Sequence, residues 1–280
     1  MTTVDAHHHY WQPARGDYTW MPMDNPVLAR PYDPSHLAPT LESHGIGRTV
    51  LVQTAATVNE TEYLLGLADA TSHVAGIVGW IDFEDVSDRQ VLARLAHHPK
   101  FVGVRPMIQD IDDVDWMLRT DLEWAYRAVV AEDLAFDALG FPRHLENFLS
   151  LLQRHPDMRV VIDHCMKPQI ADHTPESYDH WASGMSRLAR ETGAFCKLSG
   201  LVTEARESWT IEDLRPYVDH VLSEFGAERV MRGSDWPVCR LRTEYGDWLA
   251  AVRILTGKLE EEEKSRVFGG TAIEFYRLEP

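Results

Sequence analysis

The sequence predicts an α/β fold, namely a (β/α)8 TIM barrel that spans residues 1–280 as one domain. The length of 280 residues lies close to the ~250 residues typical of such barrels. Short runs rich in Val and Ile alternate with longer segments whose apolar residues recur every three or four positions, which is the pattern of a parallel sheet covered by helices. Eight apolar runs are present, and eight strands close a barrel.

The predicted elements follow in chain order. The strands are Thr3–His9, Arg48–Thr54, Ala75–Asp82, Phe101–Arg105, Leu134–Leu139, Arg159–His164, Ala194–Ser199 and Arg229–Ser234. Helical patterns between them include Leu64–Ala70, Val91–Leu95, Leu145–Leu152 and Leu214–Phe225. Extra C-terminal helices follow the eighth strand in three stretches and end at Leu278. Residues 11–34 are rich in Pro and aromatic residues, which indicates a long irregular loop able to cover a pocket.

Composition excludes several classes of partner. Apolar residues make up 44% and charged residues 25% of the chain, as in ordinary globular proteins. The net charge of −17 disfavours nucleic acid and anionic membrane surfaces as partners.

We expect a cytoplasmic protein, because no long apolar run or secretory leader is present. The cysteines are odd in number, so we expect free thiols at Cys165, Cys196 and Cys239.

Polar residues at the ends of three predicted strands are candidates for chemistry. In the first strand His7 and His9 face the same way, because side chains alternate along a strand, and His8 faces the other way. The sixth strand ends at His164, and Asp235 follows the eighth. Catalytic groups of a barrel lie at the C-terminal ends of its strands, so we expect these four side chains to converge. Imidazoles and a carboxylate can hold a divalent metal or polarise a substrate oxygen.

Two further carboxylates are expected to support this group. Asp5 precedes His7 by two residues and is predicted to lie one layer deeper on the same face. Asp163 is predicted to point away from His164, its neighbour in the sixth strand. An orienting or purely structural role suits both residues at least as well as a catalytic one.

Four segments together resemble the sugar-acid lactonase branch of the amidohydrolase superfamily, which includes L-fuconolactonases and L-rhamnonolactonases and, more distantly, a pyrone dicarboxylate hydrolase. They are the Asp-x-His-x-His start at residues 5–9 and the segments 163–168, 197–201 and 233–237. The resemblance runs almost from end to end. It implies a barrel, a cytoplasmic location and hydrolysis of a small-molecule lactone.

One departure concerns the metal. Many binuclear members of the superfamily carry a bridging lysine, and none is evident between the fourth and sixth strands. The resemblance therefore implies one divalent metal such as zinc, or a metal that is dispensable. The candidate metal ligands are His7, His9, His164 and Asp235.

The same residues define an expected hydrolytic mechanism. Asp235 is the candidate base that activates water, and the three histidines would polarise the carbonyl oxygen and stabilise its developing charge. Four further residues are candidates for substrate binding, with ion pairing, core packing or backbone bonding as the alternative roles. They are Arg105, Lys167, Gln53 and Trp236.

Two other functions stay open from the sequence. One is a different reaction in the same superfamily, either hydrolysis of a carboxylated lactone or pyrone or metal-dependent decarboxylation, for which Arg105, Arg240 and Arg242 could bind a carboxylate. The other is a barrel that binds its ligand without turnover. The sequence determines neither the particular lactone nor the oligomeric state.

Overall fold

The structure, a computed structural model that describes residues 2–279, confirms the predicted barrel. One sheet contains eight strands in the order β1 to β8, and each strand pairs in parallel with the next. The strands are β1 (Val4–His8), β2 (Arg48–Val52), β3 (Val74–Gly79), β4 (Phe101–Val104), β5 (Ala135–Ala138), β6 (Arg159–Ile162), β7 (Phe195–Leu198) and β8 (Val230–Arg232).

Eleven α-helices among residues 2–279 surround or follow the sheet. They are α1 (Pro34–His44), α2 (Val58–Asp69), α3 (Asp88–Ala96), α4 (Glu123–Ala131), α5 (Leu145–Arg154), α6 (Pro175–Glu191), α7 (Leu201–Glu204), α8 (Ile211–Phe225), α9 (Tyr245–Leu255), α10 (Glu261–Ser265) and α11 (Thr271–Tyr276). The last three are the predicted helices after the eighth strand. None of these helices combines the length and apolar character needed to cross a bilayer.

The first and last strands meet just beyond their C-terminal ends. The backbone N–H of His9 donates to the Trp236 carbonyl at 2.7 Å, and the N–H of Asp235 donates to the His7 carbonyl at 2.8 Å. On the outer side of this seam, Asp5 Oδ1 accepts the N–H of Ser234 at 2.8 Å. The backbone that carries two of the candidate histidines is therefore bonded to the backbone that carries the candidate base.

The core has two layers. Most buried apolar residues pack between the sheet and its helices, while a smaller cluster fills the barrel interior near the start of the strands. That cluster contains Val4 and Val161 from the strands together with Phe275 and Tyr276 of α11. Helix α11 therefore packs against the end of the barrel opposite to the C-terminal rim.

The predicted strands end one to three residues later than the observed ones. In each case the extra residues, such as Gln53, Arg105 and His164, turn into the loops at the rim. The backbone N–H groups of Gln53 and Arg105 still donate to Val78 and Gly79 of the neighbouring strand, each at 2.8 Å. Helix α2 begins earlier than predicted, at Val58, because the Thr57 side chain accepts the N–H of Glu60 and caps the helix.

Candidate active site

The end of β1 presents two histidines to the barrel interior as predicted. His7 Nε2 lies 3.2 Å from His9 Nε2, whereas His8 faces outward and contacts the Thr49 hydroxyl at 2.9 Å. The strand pairing shifts register between Asp5 and His8. Val4 and Ala6 point into the barrel, so this irregularity places Asp5 on the outer face.

The prediction that Asp5 shares the face of His7 is therefore wrong. Asp5 is fully buried outside the sheet, where it faces Arg232 at 3.8 Å and binds the backbone of β8. A bulge that adds a residue to a strand reverses the side-chain alternation beyond it. Nothing in the local sequence marks this bulge, since neither Ala6 nor His7 is a glycine.

Asp235 completes a compact group of donor atoms. Its Oδ1 lies 3.2 Å from His9 Nε2 and 3.9 Å from His7 Nε2. His9 Nδ1 donates to the Val52 carbonyl at 2.8 Å, which fixes the neutral ring with its lone pair on Nε2. A lone pair and a carboxylate oxygen thus face each other at 3.2 Å. Such a contact requires a proton or a cation between the two atoms.

His164 reaches the same rim through an unusual backbone turn. The four residues 164–167 all have φ between 49° and 59°, although each left-handed non-glycine residue costs about 1–2 kcal/mol. His164 Nε2 lies 3.9 Å from Asp235 Oδ1, and its Nδ1 contacts the Ser199 hydroxyl at 2.9 Å. The turn therefore directs the imidazole toward Asp235 instead of continuing the strand.

Asp163 does not point away from His164, contrary to prediction, because ligand atoms of both residues and of His7 lie within 4.8 Å of one another. It points into the barrel, where it is fully buried and forms a possible ligand group with His7 and His164. The carboxylate pairs with Arg105 Nη1 at 3.2 Å and with Lys197 Nζ at 3.0 Å. These cations lower the pKa of Asp163 well below its ordinary value despite its burial.

Three of the four candidate catalytic residues, His9, His164 and Asp235, line one cavity of about 320 Å³. The fourth, His7, is fully buried beneath it. This volume lies within the range of small-molecule sites, which begins at about 300 Å³. Arg105 and Lys167 line the cavity as predicted for substrate-binding residues, together with Trp20 from the first loop. Arg105 Nε is buried and makes no hydrogen bond among the described residues.

Two other candidate substrate contacts are not among the residues that line this cavity. Trp236 packs its ring against Tyr32 at 5.0 Å and Tyr10 at 6.1 Å between ring centres. Gln53 is fully buried and donates to the Arg105 carbonyl at 2.7 Å. These placements correspond to the alternative roles of core packing and backbone bonding.

Sequence reasoning missed a buried ionic layer below the histidines. Lys197 of β7 and Asp137 of β5 are both fully buried, and Lys197 Nζ lies 2.5 Å from Asp137 Oδ2 and 3.1 Å from His7 Nδ1. Burial raises the pKa of Asp137 to about 6, while the Lys197 ammonium opposes this shift. The sequence indicates this layer only by a charged residue within each of two apolar strands, Asp137 in Ala-Phe-Asp-Ala and Lys197 in Phe-Cys-Lys-Leu.

Burial keeps His7 and His164 neutral. It lowers the pKa of His164 to about 4 and, with help from Lys197, lowers that of His7 well below its ordinary value. The pKa of Asp235 is also lowered, because the neighbouring His164 and His9 outweigh the effect of burial. Neutral imidazoles and an ionised carboxylate are the forms that bind a metal or activate water.

The donor atoms of His7, His9 and Asp235 fit a divalent metal. They lie within 4.8 Å of one another, with separations of 3.2, 3.2 and 3.9 Å. Tetrahedral zinc with ligands at about 2.0–2.1 Å separates its ligand atoms by about 3.4 Å. Two histidines and one carboxylate form a common catalytic zinc set that keeps a fourth position open. His164, the fourth predicted ligand, belongs with Asp163 and His7 in the second group.

An eight-stranded parallel barrel with histidines and a carboxylate at its C-terminal rim is the architecture of metal-capable hydrolases. The chain belongs to the amidohydrolase family, whose sequence model matches residues 4–278. It is accordingly an enzyme of the hydrolase class, and the comparisons support a divalent metal such as zinc at its site.

Individual relatives are similar along almost the whole chain. An L-fucono-1,5-lactonase of Burkholderia ambifaria is 44% identical over 280 residues, which cover 99% of this chain and 96% of the relative. An L-fucono-1,5-lactonase of Burkholderia multivorans is 36% identical and covers 98% and 96%. The crystal structure of a Burkholderia multivorans amidohydrolase with bound zinc has a TM-score of 0.93, 33% identity and 100% coverage of both chains.

Proposed function

We propose that the chain hydrolyses L-fucono-1,5-lactone or a sugar-acid lactone of the same configuration to the open aldonic acid. The chain is a lactonase, a hydrolase of a carboxylic ester bond; its relatives at 44% and 36% identity carry this activity in their names. The single observation that carries the proposal is the convergence of Asp235 and His164 on one cavity of about 320 Å³.

Asp235 acts as the base in this proposal. Its Oδ1 faces His9 and His164, which leaves Oδ2 to accept a proton from the attacking water. A carboxylate with a lowered pKa is ionised at neutral pH and ready for this role. The same group then returns the proton to the ring oxygen when the ester bond breaks.

His164 stabilises the negative charge that develops on the carbonyl oxygen. It lines the cavity and presents an Nε2–H when its Nδ1 accepts the Ser199 hydroxyl. His9, whose Nε2 carries a lone pair, would act through a bound metal. Loss of one such stabilising group typically costs about 3–4 kcal/mol of transition-state stabilisation. A divalent metal held by His7, His9 and Asp235 would supply Lewis-acid polarisation when bound.

Two cations, which follow β4 and β6, hold the substrate. Arg105 lies at the end of β4 with an unpaired buried Nε–H, and Lys167 lies beyond β6 with its ammonium 3.9 Å from Glu204. Both side chains line the cavity. In the proposal they donate hydrogen bonds to the sugar hydroxyls, so loss of either raises KM more than it lowers kcat.

The decisive assay measures acid release from a panel of sugar-acid lactones with a pH indicator, with and without chelator. The panel contains L-fucono-, L-rhamnono- and L-galactono-lactones and a pyrone dicarboxylate. Saturable hydrolysis that favours the L-fucono configuration supports the proposal. If no sugar lactone is hydrolysed and the pyrone is turned over, the proposal gives way to pyrone hydrolysis. If no sugar lactone is hydrolysed and an aromatic acid releases carbon dioxide, it gives way to decarboxylation.

The first variant to measure is Asp235→Asn. We expect turnover to fall by at least about 10³-fold, because the amide cannot take a proton from water, while the product aldonate still binds. Isothermal titration with the aldonate checks binding, and the indicator assay checks turnover. Turnover close to that of the unmodified protein would remove Asp235 from the chemistry.

A further inference from the structure

Four fully buried polar side chains form a layer beneath the histidines, here called the floor cluster: Asp137, Asp163, Lys197 and Tyr276. They come from β5, the end of β6, β7 and helix α11. The residues below them in the barrel interior are apolar. None of the four lines the cavity, so the proposed hydrolysis does not use them directly.

The floor cluster connects α11 to the site through three consecutive contacts. The Tyr276 hydroxyl lies 2.9 Å from both carboxylate oxygens of Asp137. Asp137 Oδ2 lies 2.5 Å from Lys197 Nζ. Lys197 Nζ in turn lies 3.1 Å from His7 Nδ1. The hydroxyl of the last helix is therefore three polar contacts from a candidate metal ligand.

Together with Arg105 the floor cluster carries no net charge, but it is costly. The carboxylates of Asp137 and Asp163 face the cations Lys197 and Arg105, so two negative charges meet two positive ones. The attraction within a buried ion pair does little more than offset the cost of removing its two charges from water. Apolar side chains of similar volume often stabilise a protein equally well or better. Stability alone therefore does not account for four polar groups in an otherwise apolar interior.

His7 is constrained by packing around its ring and by polar contacts at both of its nitrogens. Its ring is fully buried, and a Cβ on the adjacent Gly233 would lie only 2.7 Å from the His7 Cβ. Nδ1 contacts Lys197 at 3.1 Å and Asp163 at 3.4 Å, while Nε2 faces His9 and Asp235. Polar partners of the far nitrogen set both the orientation and the tautomer of such a histidine.

We propose that Tyr276 is a positioning residue for the active site. It holds Asp137, which anchors Lys197 Nζ 3.0 Å from Asp163 Oδ1, and Asp163 accepts the Nδ1–H of His7 across 3.4 Å. The lone pair of His7 Nε2 is thereby directed at the group formed with His9 and Asp235. The inference rests on the proposed function for its kinetic consequence. Its consequence for metal binding is independent of the substrate.

The test is Tyr276→Phe, which removes one hydroxyl and leaves the ring packing. We expect kcat for the L-fucono-lactone to fall about 10-fold with KM within twofold, and the affinity for zinc to fall about 10-fold, as for other partners of metal-bound histidines. The matched control is Tyr126→Phe. Tyr126 is equally buried and its hydroxyl donates to the Met117 carbonyl at 2.9 Å, outside the site.

A second experiment distinguishes a positioning role of Tyr276 from general destabilisation of the fold. Combined with His7→Asn, the Tyr276→Phe change should lower zinc affinity and residual turnover by less than twofold, because its effect passes through His7. An undiminished loss in that background would overturn the proposal. The proposal would also fail if Tyr276→Phe alone kept its zinc affinity and kcat within twofold of the unmodified protein. It would fail as well if Tyr126→Phe showed the same losses. If no lactone is hydrolysed, the zinc titrations still decide this inference while the proposed function fails.

Discussion

At the scale of single residues, the imidazole of His164 depends on the absence of a side chain at Gly200. Gly200 has φ of 66°, and a Cβ built there would lie 2.6 Å from His164 Cγ and Nδ1. No neighbouring Cβ approaches a ring so closely without displacing it. The glycine that follows β7 therefore sets where His164 lies relative to Asp235.

We expect Gly200→Ala to lower kcat/KM at least about 10-fold, because the imidazole must move away from Asp235, the proposed base. The indicator assay measures the loss, and circular dichroism checks that the barrel remains folded. Gly66→Ala is the matched control. Gly66 lies in α2 with open space at its Cβ position, so alanine should leave activity unchanged and stabilise the helix by up to about 1 kcal/mol. Equal activity of both variants would contradict this role of Gly200.

The low pKa of His164 predicts an acid-dependent loss of stability in the metal-free protein. Burial lowers the folded-state pKa to about 4, whereas the unfolded chain protonates this histidine near 6.5. The stability contributed by the neutral form of His164 is therefore fully present above pH 6.5 and is lost as the pH falls toward 4. Below pH 4 the free energy of unfolding no longer changes because of this residue. Between pH 7.5 and 4.5 the loss amounts to roughly 2.5 kcal/mol.

Urea unfolding in chelator at these two pH values measures the effect. We expect His164→Asn to lose less free energy of unfolding than the unmodified protein on acidification, by roughly 2.5 kcal/mol. Parallel pH profiles for the two proteins would show that His164 is not kept neutral by burial.

At the scale of structural elements, some features of the site follow from sequence periodicity and others do not. Strand alternation correctly places His7 and His9 together, and the barrel rule correctly places Asp235 and His164 at one rim. The bulge after Asp5 and the left-handed turn at residues 164–167 depend on tertiary contacts. No glycine marks either feature, so alternation alone misplaces Asp5 and Asp163.

The loop between β1 and α1 forms one wall of the cavity. Trp20 lines the cavity, and its indole N–H donates to the Thr54 carbonyl at 2.7 Å, which ties the loop to the end of β2. Glu60 of α2 holds that point by accepting the backbone N–H groups of Thr54 and Ala55. The loop therefore contacts a fixed part of the rim.

We expect Trp20→Ala to raise KM for the preferred lactone about 5- to 10-fold with a smaller change in kcat, because the variant loses contact area on the substrate and not a reacting group. Initial-rate kinetics measure both constants. Met23→Ala on the same loop serves as control, since Met23 is 70% exposed and should leave both constants unchanged. An unaltered KM in Trp20→Ala would place the substrate away from this wall.

At the scale of the whole molecule, the eight-stranded barrel was predictable because its pattern repeats along the chain. The floor cluster was not, because its contacts join residues 34 to 190 positions apart, such as Lys197 with Asp163 and with His7. Periodicity reveals which face of a strand is buried but not which strand lies opposite. All three cysteines are buried and free, as expected from their odd number.

The donor set predicts that zinc stabilises the whole fold. At a free zinc concentration 100 times its Kd, the free energy of unfolding should rise by about 2.7 kcal/mol, which raises the Tm by roughly 5 °C for a chain of this length. Thermal scans with zinc and then with excess chelator measure the shift and its reversal. His9→Ala should abolish the shift, because His9 Nε2 is one of the three donors. A shift of equal size in that variant would place the zinc elsewhere.

The seam between β1 and the segment after β8 has a consequence for synthesis of the protein on the ribosome. The backbone bonds that join His7 and His9 to Asp235 and Trp236 connect residues more than 220 positions apart, so the barrel cannot close until most of the chain has emerged. Until then β1 presents an unpaired parallel edge, which is a template for association with other chains. Nascent chains should therefore engage chaperones up to the release of β8, and the catalytic centre forms in the same late step that removes this edge.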